Sequence, residues 1–147
     1  MIDLNWSLRK AYYSALSDIP DAAGTGYVPV YYFAAPPNKN MTEYIVYRSI
    51  TNKDESTKSS SDTRTFIIVE IYTKQMNTNP GKRVDEIAAA VYDRVYPNQN
   101  THLQIEGGQI VTTQMTFELV NPYNVISGEV YLSRFLTFKH IIYQTSD

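Results

Sequence analysis

The sequence predicts an α+β fold: a single domain over residues 1–147, in which a largely antiparallel sheet of about five strands carries two helices on one face. Three observations predict it. Residues 64–74 are rich in β-branched and aromatic side chains and contain no Gly or Pro, as a central strand should. Residues 80–96 then place Val84, Ile87, Ala88, Val91, Tyr92 and Val95 at helical spacing, with Lys82, Arg83, Asp85, Glu86, Asp93 and Arg94 on the opposite side. Finally, most remaining apolar runs are strand-like, and one, at the N-terminus, is helical.

In chain order, Leu4, Leu8, Ala11, Tyr12, Ala15 and Ile19 define a first helical face over residues 3–17, with Asp3 as a cap and Pro20 as a stop. Residues 27–33 read as a strand, and Pro29, which has no N–H to give a ladder, sends that strand to a sheet edge. Residues 43–50 read as a second strand. Residues 51–62 contain no apolar side chain, which predicts a solvated, mobile tip joining this strand to the central one as an antiparallel hairpin. In the central strand Thr65, Ile67, Val69, Ile71 and Thr73 form an uncharged face for the second helix, and Phe66, Ile68, Glu70 and Tyr72 form the other. Asn79 and Pro80 open the second helix, and Pro97 closes it. Leu103 and Ile105 suggest a short strand in the connector that follows. Residues 108–119 alternate, with Val111, Thr113, Met115, Phe117 and Leu119 expected inward. Residues 121–128 are expected to turn, and residues 129–144 to form a last strand, apolar on both faces.

Composition removes several classes of function. The net charge of −2 gives no reason to expect specific nucleic-acid binding or a basic membrane contact. The absence of cysteine excludes disulfides, thiol nucleophiles and zinc–thiolate sites. No apolar run is long enough to span a bilayer, and the N-terminus lacks the features of a signal peptide, so the expected place of synthesis is the cytoplasm. The two histidines, His102 and His140, have no second ligand at metal spacing beside them. Neither a phosphate-binding Gly loop nor a Gly-x-Ser-x-Gly elbow occurs. The expectation is no catalytic, metal or cofactor site, and no cofactor. The 13 tyrosines suit surfaces that become buried on assembly, and they equally suit strands.

Arg48, Glu70 and Arg134 each interrupt an apolar strand near its middle. Alternation groups them with Tyr44, Phe66, Tyr72 and Leu132. If their three faces coincide, they form the sheet surface away from the helices. One outcome is a cross-strand ion pair on a wet face. The other is an apolar patch too large for a monomer, covered by another copy of the chain and turned toward a neighbour or a channel.

The succession of helix, edge strand, Tyr-Ile-Val-Tyr-Arg strand (residues 44–48), charged tip, Arg-x-Phe-Ile-Ile-Val-Glu-Ile-Tyr-Thr strand (64–73), Arg-Val-Asp-Glu-Ile-Ala-Ala-Ala-Val-Tyr helix (83–92) and two closing strands resembles the tail terminator family of tailed bacteriophages, also called tail-completion or head–tail joining proteins. The resemblance runs from about residue 27 to 143 and rests on the strand–helix core. It implies a structural virion protein without enzymatic activity. Such a protein forms a homo-oligomeric ring, usually a hexamer, in the neck or at the head-proximal end of the tail. It stops tube growth and docks to connector or tail proteins. DNA passes through such a ring without being read. The polar tip, with Lys53, Asp54, Glu55 and Lys58, would then be a docking hairpin. On the residues alone, a small enzyme, a ligand-binding domain and a monomeric adaptor module stay open beside it.

Overall fold

The computed structural model describes residues 4–36, 41–52, 62–74, 80–98, 100–126 and 128–144. The chain forms α1 (Leu4–Leu16), β1 (Val30–Tyr32), β2 (Glu43–Asn52), β3 (Asp62–Lys74), α2 (Pro80–Val95), β4 (Gly108–Ile126) and β5 (Glu129–Gln144). The strands make one sheet in the order β1-β2-β3-β5-β4, antiparallel throughout except for β1 beside β2. The α+β class, the strand number and the helices on one face are as the sequence predicts.

Alternation along β3 explains the layering. Ile67, Val69 and Ile71 are fully buried beneath the helices, against Val84, Ile87, Ala88, Val91 and Val95 of α2 and Leu8, Tyr12 and Leu16 of α1. Each such side chain contributes roughly 1.5–3 kcal/mol by leaving water. The α1 stripe is turned slightly from the expected one: Leu16, rather than Ala15, is buried at its C-terminal end. The expected caps Asp3 and Asn79 lie outside the described residues. Pro80 does stand first in α2, where its missing N–H costs no helical bond.

β1 is the edge strand that Pro29 requires. The Pro29 carbonyl accepts the Ile45 N–H at 2.8 Å, which is the one ladder role a proline can fill. The other edge is β4, and here three expectations change. Leu103 and Ile105 form no strand; they lie in a connector and pack onto the core. Residues 121–126 extend β4 instead of turning, and the hairpin closes at Gly128, whose φ of 80° suits glycine. Of the expected inward set only Thr113 and Met115 point inward. Register shifts between Ile110 and Thr112 and between Met115 and Phe117 each insert a residue, so the buried positions are Ile110 and Thr113, while Val111, Phe117 and Leu119 are exposed. A bulge reverses the alternation that follows it, and strict period-two reasoning cannot survive one. A third shift, between Asn121 and Asn124, accommodates Pro122 in the edge strand.

Candidate functional site

The register places the face away from the helices residue by residue. Tyr44, Val46, Arg48 and Ile50 of β2 stand opposite Tyr72, Glu70, Ile68 and Phe66 of β3. These four of β3 stand in turn opposite Ser133, Phe135, Thr137 and Lys139 of β5. Arg48, Glu70, Tyr44, Phe66 and Tyr72 therefore share one face, as alternation predicts. Arg134 and Leu132 do not. The β3–β5 register sets Ile71 against Arg134 and Thr73 against Leu132, so both side chains belong to the helix-bearing face. Alternation within each strand was read correctly; the phase between two strands is fixed only by their pairing. Arg134 bonds Glu118 of β4 and donates to Asp85 of α2 at 2.9 Å, tying the helix to the sheet.

Glu70 is buried, at 6% exposure. Arg48 forms an ion pair with one of its oxygens, and the Tyr72 hydroxyl donates to the other at 2.7 Å. Burial, followed by the bond to Glu70, pushes the Tyr72 phenol well above its ordinary range. The carboxylate is thus satisfied inside its own chain. Arg48 remains half-exposed, with its Nε buried and without a partner among the described residues.

One end of this face is covered by the protein itself. Tyr44, Val46 and Tyr131 form a second buried cluster, with Tyr31, Ala35, Met41 and Tyr72 packed around it. Tyr44 stacks on Tyr72 at 4.9 Å and meets Tyr131 edge-on at 5.9 Å. The Tyr131 hydroxyl donates to the Met41 carbonyl at 2.6 Å, fastening the connector between β1 and β2 over the cluster. Burial pushes the Tyr44 phenol up to about 12. Tyr44 is accordingly a residue of this small core and not of an open patch. The open part lies toward Ile50, Phe66, Ile68 and Phe135 and the β4 edge. Lys53, Asp54, Glu55 and Lys58 of the expected docking hairpin lie outside the described residues.

Two polar arrangements of the helix-bearing face have no counterpart in the sequence reading. Glu43, also buried, receives Arg83 in a two-pronged contact of 2.7 and 2.9 Å and the Ala22 N–H at 3.0 Å. Arg83 also donates to the Pro20 carbonyl at 2.6 Å, so one guanidinium joins α2, β2 and the loop after α1. In the second arrangement His140 Nε2 bonds the Tyr12 hydroxyl, His140 Nδ1 lies 3.1 Å from Thr113 Oγ1, and that oxygen lies 2.9 Å from His102 Nδ1. His140 is fully buried, and burial, reinforced by His102, lowers its pKa to about 4. Burial also keeps the Tyr12 phenol protonated. The chain Tyr12–His140–Thr113–His102 satisfies polar atoms in the core; it holds no carboxylate and no activated nucleophile. Tyr12 lies on the helical face the sequence predicts, but neither the burial of His140 nor their meeting across 128 residues was read from the sequence. Among the described residues no group of three or more His, Cys, Asp or Glu is placed to hold a metal ion.

No family model matches the chain, and no curated protein matches it in sequence. Among solved structures its fold is similar to that of a chain in a structure described as "Virion of native gene transfer agent (GTA) particle". The TM-score is 0.68 at 18% identity, and the alignment covers 97% of this chain and 99% of that one. At that identity the likeness is one of fold. It runs end to end over the two chains. No helix among the described residues is long and apolar enough to cross a membrane.

Proposed function

We propose that the protein is a structural subunit of a phage-like virion: a tail terminator or neck protein that forms a ring, hexameric by the family resemblance, caps the tail tube and docks to neighbouring virion proteins. It acts by burying surface against other subunits and not by catalysis. The observation that carries this reading is the end-to-end fold likeness to a chain of a gene transfer agent virion. The distribution of apolar side chains supports it. Ile50, Phe117, Leu119 and Val120 are exposed on or beside the sheet. Scattered single exposures are ordinary, but a run of them along one face and one edge marks a surface made for contact.

In this reading Arg48 is one charged group that the second face offers a neighbour, with Glu70 paired to it, Tyr72 bonded to Glu70, and Lys139 opposite Phe66 on the same face. Arg134 and Leu132 have no part in that surface. The test is the mass of the purified protein in solution, together with its position in particles from a host carrying a tagged copy. A closed ring, and a single ring of tag at the neck or tail junction, are the expected results. A strict monomer absent from particles would return the question to a ligand-binding or adaptor domain.

A further inference from the structure

We propose that the two edges of the sheet are the two halves of one head-to-tail contact, the β1 edge of one copy seating on the β4 edge of the next. The inference rests on the self-assembly reading above and deepens it by naming the surfaces and the occupant of each, a second copy of this chain.

The β1 edge carries the first half. β1 stops after three residues because the Ala34 N–H turns back to the Tyr32 carbonyl at 2.9 Å, closing a γ-turn with Phe33 at its centre. Phe33 has a φ of 75°, the only non-glycine residue with positive φ among those described. A bulky side chain is disfavoured there, and such turns are strained. That strain turns the Phe33 ring into solvent, where it is 67% exposed. Strain spent on exposing an aromatic side chain is unexplained in an isolated subunit and is explained by a partner that takes the ring. Beside it, the Arg9 guanidinium lies 3.7 Å from the centre of the Tyr32 ring and 5.1 Å from that of Trp6. Trp6 and Tyr13 are themselves exposed. Aromatic rings and arginine in one cluster are the side chains that dominate protein–protein contacts.

The β4 edge carries the second half. It is a 19-residue strand at the margin of the sheet, and Glu118 is its only charged residue. Arg134 and the Tyr92 hydroxyl already engage that carboxylate. Soluble monomers guard a long edge with lysines or inward charges. Here the edge shows Val111, Phe117, Leu119 and Val120 to solvent, Phe117 at 57%. The three register shifts and Pro122 guard this edge against strand addition, so a second copy would cover it through these exposed side chains and not by extending the sheet.

The areas agree. Aromatic side chains present roughly 150–250 Å² each, so the outer halves of Trp6, Tyr13 and Phe33 offer on the order of 300 Å². The exposed parts of the four β4 residues offer a similar area. Each is the apolar centre of an interface of roughly 800 Å² per partner, whose remainder is polar rim. The two halves differ in composition and lie at opposite ends of the strand order, so a contact that joins one to the other is head-to-tail and not two-fold. A contact between unlike surfaces on opposite sides of a subunit closes into a ring when its rotation allows.

The test uses Phe33→Asp and Phe117→Lys, separately and mixed, read by sedimentation at up to about 1 mM protein, where even weak contacts populate. Aspartate is tolerated at positive φ and Phe117 is exposed, so both variants should melt within a few degrees of the parent. Tyr13→Asp and Val120→Asp repeat the test at the same two edges should either variant unfold. The parent is expected to form a closed ring. Each variant alone is expected to be monomeric, and the equimolar mixture to form dimers and nothing larger, since one intact edge remains on each partner. A variant that dimerises alone overturns the head-to-tail contact in favour of a self-pairing edge. A ring that persists in both variants overturns the edge assignment and leaves the ring reading standing. A parent that stays monomeric overturns both.

Discussion

The two faces of β3 are both largely apolar or aromatic and have different fates. Toward the helices stand Thr65, Ile67, Val69, Ile71 and Thr73, every one buried. Toward the other side stand Phe66, Ile68, Glu70 and Tyr72, of which only Glu70 is buried. Hydrophobicity does not separate these faces; what covers them does. Two amphipathic helices close the first, while a single connector closes one end of the second, over Tyr44 and Tyr131. Polar groups follow the same division. On the covered face they are paired to exhaustion, as in Glu43–Arg83 and Tyr12–His140–Thr113. On the open face half-exposed Arg48 has one ion-pair partner among the described residues, Glu70. The open face is free to take a contact, whereas the sealed face can only unfold.

That contrast is broken most severely at Val69. It is fully buried beneath α2, so Val69→Asp places an unpaired charge in the core and is expected to abolish folding, a loss of more than about 4 kcal/mol. The same change one residue earlier, Ile68→Asp, points to the open face and should leave a folded, cooperatively melting protein. Thermal melts of the pair measure the difference directly; equal destabilisation would mean that the second face is as sealed as the first.

Arg83→Ala is the next largest. It leaves Glu43 buried with one backbone donor and frees α2 from β2, and breaking a buried pair from one side costs about 3 kcal/mol. Denaturant unfolding should show it. Arg48→Ala on the open face removes a partner from Glu70 as well, but water can replace the half-exposed guanidinium, so the expected loss is under about 1 kcal/mol.

How far these surfaces could be read beforehand depended on how local their causes are. The strand–helix core was legible because period two in β3 and period 3.6 in α2 each lie within one element. The antiparallel β2–β3 hairpin was legible from its polar tip. Arg134 was misplaced because its face depends on the phase between β3 and β5, which no single strand encodes. Phe117 and Leu119 were misplaced because the bulge between Met115 and Phe117 reversed the alternation that Thr113 and Met115 follow. Glu43–Arg83 and Tyr12–His140 were invisible because both are meetings across long sequence separations. The small core around Tyr44 was missed for a related reason: the loop that covers it has no periodicity to betray it. The alternation along β2 and β3 did, however, bring Arg48 and Glu70 to one face as read.

Acid probes the covered face without mutation. The pKa of His140 is lowered to about 4 from an ordinary 6.5, so between those values the unfolded chain binds the proton and the folded chain refuses it. Stability is complete above pH 6.5, falls as the pH drops toward 4, and loses on the order of 3 kcal/mol in total. The groups around the ring, Tyr12 of α1, Thr65 of β3, Thr113 of β4 and His102 of the connector, offer no carboxylate to stabilise the cation. Melts from pH 7 to 4 should show the fall, and His140→Gln should flatten it. A variant with the parent's slope would assign the acid sensitivity to the paired carboxylates instead.

The smallest expected effect on the subunit is the most informative about the open face. Ile50 is 55% exposed, stands opposite Phe66, and borders the row containing Arg48. Truncating it to serine removes little buried area, and exposed substitutions of this kind usually stay within about 0.5 kcal/mol. Ile50→Ser should therefore melt as the parent does. If the second face is covered by a neighbour, the same change removes an apolar contact from that interface, and assembly should shift to a several-fold higher protein concentration. Sedimentation across a dilution series separates the two effects. Unchanged melting with weakened assembly assigns the second face to a subunit contact. Unchanged melting with unchanged assembly confines self-association to the edges and leaves this face to a different virion protein. A large fall in melting would show that Ile50 is covered within its own chain, and the contrast between the two faces would then end short of the β2 tip.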